Sequence, residues 1–185
     1  VPGYTAQTPH KIYSGTKSFV AMAAMILAQK GVIRLDEPAS DIITEWKNDA
    51  RRSITIDELL SQTSGLDPND DSINNSHDAL AAAVQMRLIS APGTQFHYGA
   101  AGYQAFGEIL HRKLGGFGDA VEKSVDRLVL NPYGIKVAGW VKDDAGNVLV
   151  HAGMVMTAEQ WAKFGDAMLR PRHPKDRSKP GLGFD

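Results

Sequence analysis

Ser14 and Lys17 stand three residues apart in Ser14-Gly15-Thr16-Lys17-Ser18-Phe19, at the lip of the apolar run VAMAAMILAQKG. A serine hydroxyl is a weak nucleophile until a base takes its proton. Helix positions i and i+3 face the same side one turn apart, so these two side chains can meet. An ordinary lysine holds its proton to a pKa of about 10.4. Burial disfavours the ammonium and lowers that value, and the positive end of a helix dipole pushes the same way. Lys17 leads into a stretch without charge from Ser18 to Ala28. The chemistry would be nucleophilic catalysis, with Ser14 attacking, Lys17 taking its proton and helix-start amides facing an oxyanion. The plainer reading makes Ser14 an N-cap and Lys17 a solvated first-turn residue. Gly15 leaves room for a close approach beside the serine.

A proton taken from Ser14 must reach a leaving group. Tyr98, in GTQFHYGAAGYQAFG, is the candidate relay, because it lies between a Pro-Gly turn and a helix start. A half-buried structural aromatic is the alternative. His97 beside it is a candidate pocket residue or a surface histidine, and Trp140 a core residue or a border of the cleft. Phe96, Tyr103, Phe106 and Trp161 read as core. Asp67, Asn69 and Asp71 alternate like the start of a calcium loop, but Ser72 stands where that loop needs Gly, so a hydrated polar loop is expected. The histidines lack zinc-ligand spacing. With no phosphate loop, dinucleotide fingerprint or Gly-x-Ser-x-Gly elbow, neither cofactor nor metal is expected.

The elements that must position these residues are mostly helical. The spacing predicts helices over 15–29 (stopped by Gly31), Ile56–Gln62, 77–89, 102–114, 119–129 and Thr157–Leu169. Thr55 with Glu58 and Thr157 with Gln160 fit capping boxes. Residues 1–13 and 32–53 read as irregular, and LDPNDDSINNS as a loop. IKVAGWV and VLVHAG read as two strands joined at KDDAGN. The fold class is therefore mainly α with a small β-hairpin, and no parallel sheet can be assembled.

The 185 residues carry a net charge of −1, 43% apolar residues and no cysteine. The charge gives no case for nucleic acid or an anionic membrane. The absence of cysteine excludes disulfides, thiolate metal sites and cysteine nucleophiles. No apolar run approaches a membrane span. The tail from Arg170 to Lys179 has five Lys or Arg against one Asp. Without an aromatic platform it reads as a solvated loop, not a nucleic-acid contact.

Four blocks in order resemble the serine beta-lactamase and penicillin-binding-protein superfamily, in its branch of AmpC-type beta-lactamases, D-alanyl-D-alanine carboxypeptidases and esterases. SGTKSF resembles the nucleophile motif Ser-x-x-Lys. LLSQTSGL is similar to LLxHTSGL, APGTQFHYGAAGYQAFGEIL to PGxxFxYSNxGYxLLGxIIE, and HAGMVMTAEQWAKFGDAML to ASGMVMTAxDLARFGxxLL. The resemblance implies that Ser14 is acylated, that Lys17 shares its proton, and that Tyr98 serves as base and then protonates the leaving group. The implied substrate is a small molecule or peptide with an ester, amide or D-amino peptide bond, and the implied location is periplasmic or secreted. Two departures stand out. Ala100 replaces the Asn of Tyr-x-Asn, whose amide helps hold the lysine and the substrate carbonyl. The third family motif, Lys-Thr-Gly or His-x-Gly, is expected beyond GLGFD. On this resemblance residues 1–185 form one partial domain: a helical part over about 14–170, then a loop over 171–185 leading toward an absent strand, with most of the α/β part missing. A complementing chain is one route to a complete site; oligomeric state is left open. The alternative function is a non-catalytic relative that binds cell-wall fragments or a protein.

Overall fold

The computed structural model describes residues 3–115 and 120–169. Its centre is α1, Thr16–Gln29, which buries Phe19, Val20, Met22, Ala23, Ala24 and Leu27. Straight-chain and alanine residues suit the helix, and small side chains let neighbours approach it closely. It stops at Gly31, which takes φ +70°. Gly31 N–H donates to the Ala28 carbonyl and Val32 N–H to that of Leu27. These are the two bonds of a Schellman cap, and they spare the last carbonyls a buried vacancy.

Three short 3-10 turns, Ala39–Asp41, Thr44–Trp46 and Ala50–Ser53, fill the stretch read as irregular. Thr55 and Glu58 form the expected capping box at the start of α2, Ile56–Leu60. The loop expected over LDPNDDSINNS contains a short helix, α3, Asp70–Asn74, capped by the Asn69 side chain. Asp67 accepts from Asn69 N–H and pairs with Arg87, so the alternating polar residues build a helix start. The helix expected over 77–89 is only Ala79–Gln85, α4. Its end is fixed by non-local partners. The Trp46 indole N–H donates to the Val84 carbonyl, and Arg51 donates to those of Val84 and Met86. The chain then leaves the helix to bridge Leu66 with Leu88.

Helix α5, Ala101–Lys113, buries one face and leaves Glu108, His111, Arg112 and Lys113 on the other. It packs on α2 through Gly102, where a Cβ would lie 2.5 Å from the Leu59 carbonyl oxygen. Helix α6, Ala120–Val125, continues as a π-helical segment, Asp126–Leu130. The last helix, α7, is Ala158–Leu169, with Phe164 stacked on Phe19 at 3.9 Å between ring centroids. At its start Thr157 accepts from Gln160 N–H, but the Gln160 side chain turns to Lys136 N–H, so the second capping box is half made.

The sheet differs from the expected hairpin. It has three antiparallel strands in the order β1-β3-β2: β1 is His10–Lys11, β2 Gly139–Trp140 and β3 Met154–Met156. The turn at KDDAGN forms, with Lys142 bridging Val148 and Gly146 at φ +88°. VLVHAG does not go on as a strand, because Gln104 takes Val150 N–H and Gly153 N–H folds back to the Leu149 carbonyl. Met154–Met156 therefore replaces it opposite Gly139–Trp140, and residues 10–11, read as loop, pair on its other side. The basic tail and the loop expected over 171–185 lie outside the described residues. Among the described residues, no helix is long and apolar enough to cross a membrane.

The Gly102 contact is directly testable. Gly102→Ala would force the Leu59 carbonyl aside and lower stability by about 1–3 kcal/mol, measured by urea unfolding at constant slope. Gly139→Ala, where an added Cβ meets nothing within 4 Å, is the control and should cost far less.

Candidate active site

Ser14 lies in a 3-10 turn, Tyr13–Gly15, that runs straight into α1. Lys17 sits in the first turn of α1 with 7% of its surface exposed. Its ammonium Nζ donates to Ser14 Oγ at 3.1 Å and to the His151 carbonyl at 3.1 Å. The Tyr98 ring centre lies 4.9 Å from Nζ, and that of Tyr103 5.7 Å. The structure thus gathers Ser14, Lys17 and Tyr98 at one end of α1.

Two neighbours fix the turn that carries Ser14. Met154 N–H donates to Thr16 Oγ1, which ties the start of α1 to β3. Gly15 faces Trp161, whose ring would lie 2.8 Å from an added Cβ. The close approach left by Gly15 is therefore made by Trp161. That side chain was expected in the core, but it is 40% exposed beside the Ser14 turn. Phe96, also expected in the core, is 65% exposed, while Tyr103 and Phe106 are buried as expected. The chain projects Phe96 outward because residues 94–98 belong to no helix or strand and run along the surface.

The remaining candidate residues stand around this group as follows. His97 is half-buried, and its ring nitrogen contacts Ser90 Oγ at 3.1 Å. Trp140 packs against the core from β2, and its indole N–H is buried without a partner. Ala100 is fully buried just before α5. Its N–H donates to the Asp70 carboxylate at 2.7 Å.

Burial is the main effect on Lys17 and holds its pKa below the ordinary lysine value. The Tyr98 hydroxyl and the Asp70 carboxylate oppose it. An ammonium has three donors and no acceptor. A neutral amine can keep its bond to the His151 carbonyl while its lone pair turns to the Ser14 hydroxyl. That is the geometry a base needs.

Sequence reasoning missed the network that fixes this carbonyl. Gln104, fully buried on α5, accepts from Val150 N–H and donates to the Val148 carbonyl. Its amide orientation is thereby set, so its oxygen accepts from His151 Nδ1–H at 3.2 Å. His151 Nε2 lies 3.0 Å from Asn74 Oδ1. Burial and the adjacent Lys17 charge push the His151 pKa down to about 4, against a smaller pull from Asp70. Spacing gives no hint of this group, because Asn74, Gln104 and His151 come from three separate elements.

Among the described residues, no three His, Asp or Glu side chains converge on a possible metal position. A separate cleft at the other end of α1, bordered by Leu27, Lys30, Val32 and Leu128, contains none of these groups.

The Beta-lactamase family model matches residues 2–182. Over 114 residues the chain is 34% identical to protein flp of Staphylococcus aureus, a match covering 56% of this chain and 23% of that protein. Over 159 residues it is 27% identical to esterase EstB of Burkholderia gladioli, covering 72% of this chain and 39% of EstB. The fold matches a D-stereospecific amidohydrolase from Streptomyces sp. with TM-score 0.71 and 18% identity, over 95% of this chain and 65% of that one. The chain therefore spans about a quarter of the first relative and two-fifths of the second.

His151 makes stability depend on pH. The unfolded ring binds a proton below its ordinary value of 6.5, and the folded ring resists until about 4. The unfolded state holds more protons between those values, so stability falls as pH drops through that window. The loss should be on the order of 3 kcal/mol. His151→Gln should flatten that slope, as read by chemical unfolding at a series of pH values.

Proposed function

Because the chain belongs to the beta-lactamase family, we propose that it carries the nucleophile of a serine hydrolase that works through an acyl-enzyme. The supporting observation is the buried Lys17 amine 3.1 Å from Ser14 Oγ. In this reading Lys17, once neutral, takes the Ser14 proton while Oγ bonds to the substrate carbonyl carbon. The bond to the leaving group breaks as Tyr98 passes it a proton and takes in its place the one held by Lys17. Water then attacks the acyl carbon, and the acid product leaves as Ser14 regains its proton.

Ala100 bears on the substrate. A side-chain amide at this place would hold an amide carbonyl, and a methyl group cannot. Esters carry a better leaving group and need less of this help. We therefore assign esters as the preferred class, ahead of amides and beta-lactams. The likeness to an esterase points the same way. Ala100 also favours the second reading, a cleft that binds cell-wall fragments without turning them over. Tight binding with no acyl-enzyme and no turnover would establish that one.

The test uses the protein that carries this chain. A fluorophosphonate probe should label Ser14, and Ser14→Ala should abolish labelling. Lys17→Ala should slow acylation by about 10²-fold or more, and Tyr98→Phe by a similar order. Acylation should rise with pH as Lys17 loses its proton, with a midpoint below the ordinary lysine value. Turnover of a p-nitrophenyl ester should exceed that of the matching anilide and of a chromogenic cephalosporin. Labelling that persists in Ser14→Ala would overturn the proposal.

A further inference from the structure

Tyr98 has a demanding position and little packing to hold it. It is 53% exposed and belongs to no helix or strand. An exposed aromatic on a free loop would sample many places, and proton transfer needs one of them. Something must fix the backbone on which it stands.

That restraint comes from a single residue. The Gln62 main-chain carbonyl accepts from His97 N–H at 2.9 Å, and the Gln62 side-chain oxygen accepts from Gly99 N–H at 2.7 Å. The two bonds grip the amides on either side of Tyr98. Gln62 itself is buried, with 9% of its surface exposed. The next amide, Ala100 N–H, is held by Asp70. Gly99 passes so close to Pro68 that an added Cβ would lie 2.7 Å from its backbone. The Tyr98 segment is thus tied at three amides and pressed against a rigid ring.

The conformation of Gln62 adds an independent argument. It has φ +62°, just past the end of α2. Helix ends commonly place a residue in this left-handed region, and glycine is the usual occupant because a Cβ is disfavoured there. Glycine would serve the backbone at this point. It would not supply the acceptor that Gly99 N–H uses. A neutral amide also accepts this bond without placing a charge beside the Lys17 and Tyr98 pair, whatever the pH.

We infer that Gln62 is a positioning residue for Tyr98, holding it by a two-sided clamp on the neighbouring amides. This rests on the role proposed for Tyr98. The clamp acts on the rate of acylation more than on substrate binding, because it sets where the relay stands and touches no substrate.

The test again uses the protein that carries this chain. Gln62→Gly removes the side-chain acceptor and relieves the backbone, so folding is protected. Gln62→Glu keeps an acceptor oxygen. Gln62→Gly should speed amide hydrogen exchange at Gly99 by about tenfold or more. It should slow fluorophosphonate acylation of Ser14 by about tenfold or more, with little change in the KM of an ester substrate. Gln62→Glu should restore most of the Gly99 protection. In a Tyr98→Phe background, Gln62→Gly should change acylation by less than about twofold, since it acts through the missing hydroxyl. Unchanged exchange at Gly99, or effects of the two variants that simply multiply, would overturn the inference. If Tyr98→Phe alone leaves acylation intact, the role proposed for Tyr98 fails, while exchange at Gly99 still reads the clamp.

Discussion

The structure is organised around one uncomfortable placement: a lysine amine at the buried start of an apolar helix. A charged ammonium in such surroundings is costly unless its donors are met. Lys17 meets that demand with the Ser14 hydroxyl and the His151 carbonyl, beside the faces of Tyr98 and Tyr103. The same burial that raises the cost of the cation brings the neutral amine within reach. An exposed lysine at this spacing would keep its proton and leave Ser14 an ordinary serine. On the proposed reading, the apolar character of α1 is as much a part of the chemistry as the two polar side chains.

Keeping that placement requires the turn before β3 to be as rigid as the helix. β3 is the central strand, and its Met154 N–H reaches back to Thr16 one residue before Lys17. Gln104 pins the backbone at residues 148 and 150, and with Asn74 it brackets the His151 ring. Segments far apart in the chain therefore hold the residue whose carbonyl receives Lys17. Burial and the adjacent Lys17 charge disfavour a second proton on that ring.

What the sequence made legible follows from range. The pairing of Ser14 with Lys17 is local, and so are the Thr55–Glu58 capping box and the glycine stop after α1. Each was readable from spacing because the partners lie within one helical turn or one cap. The errors are non-local. VLVHAG has the alternation of a strand, yet a glutamine on another helix takes its Val150 donor. The helix expected to reach residue 89 ends at Gln85, where Arg51 and Trp46 claim the carbonyls. Trp161 and Phe96 were assigned to the core on hydrophobicity alone. Composition cannot tell a core aromatic from one displayed beside a nucleophile.

The substitution at Ala100 shows how the local pattern and the assembled site diverge. The resembled family places an amide there, two residues after the tyrosine. Here that position is a buried methyl group, and the polar atoms near Lys17 come from elsewhere: Asp70 from α3, bonded to Ala100 N–H, and His151 through its carbonyl. The exchange is not neutral in charge. An amide polarises the lysine without charge, whereas Asp70 pulls toward the ammonium against the effect of burial. Burial at the helix end lowers the pKa of the amine, and Tyr98 first and Asp70 after it oppose that effect. On the proposed reading, that balance sets how readily Ser14 is activated. It depends on the short helix α3, in a stretch whose composition read as loop.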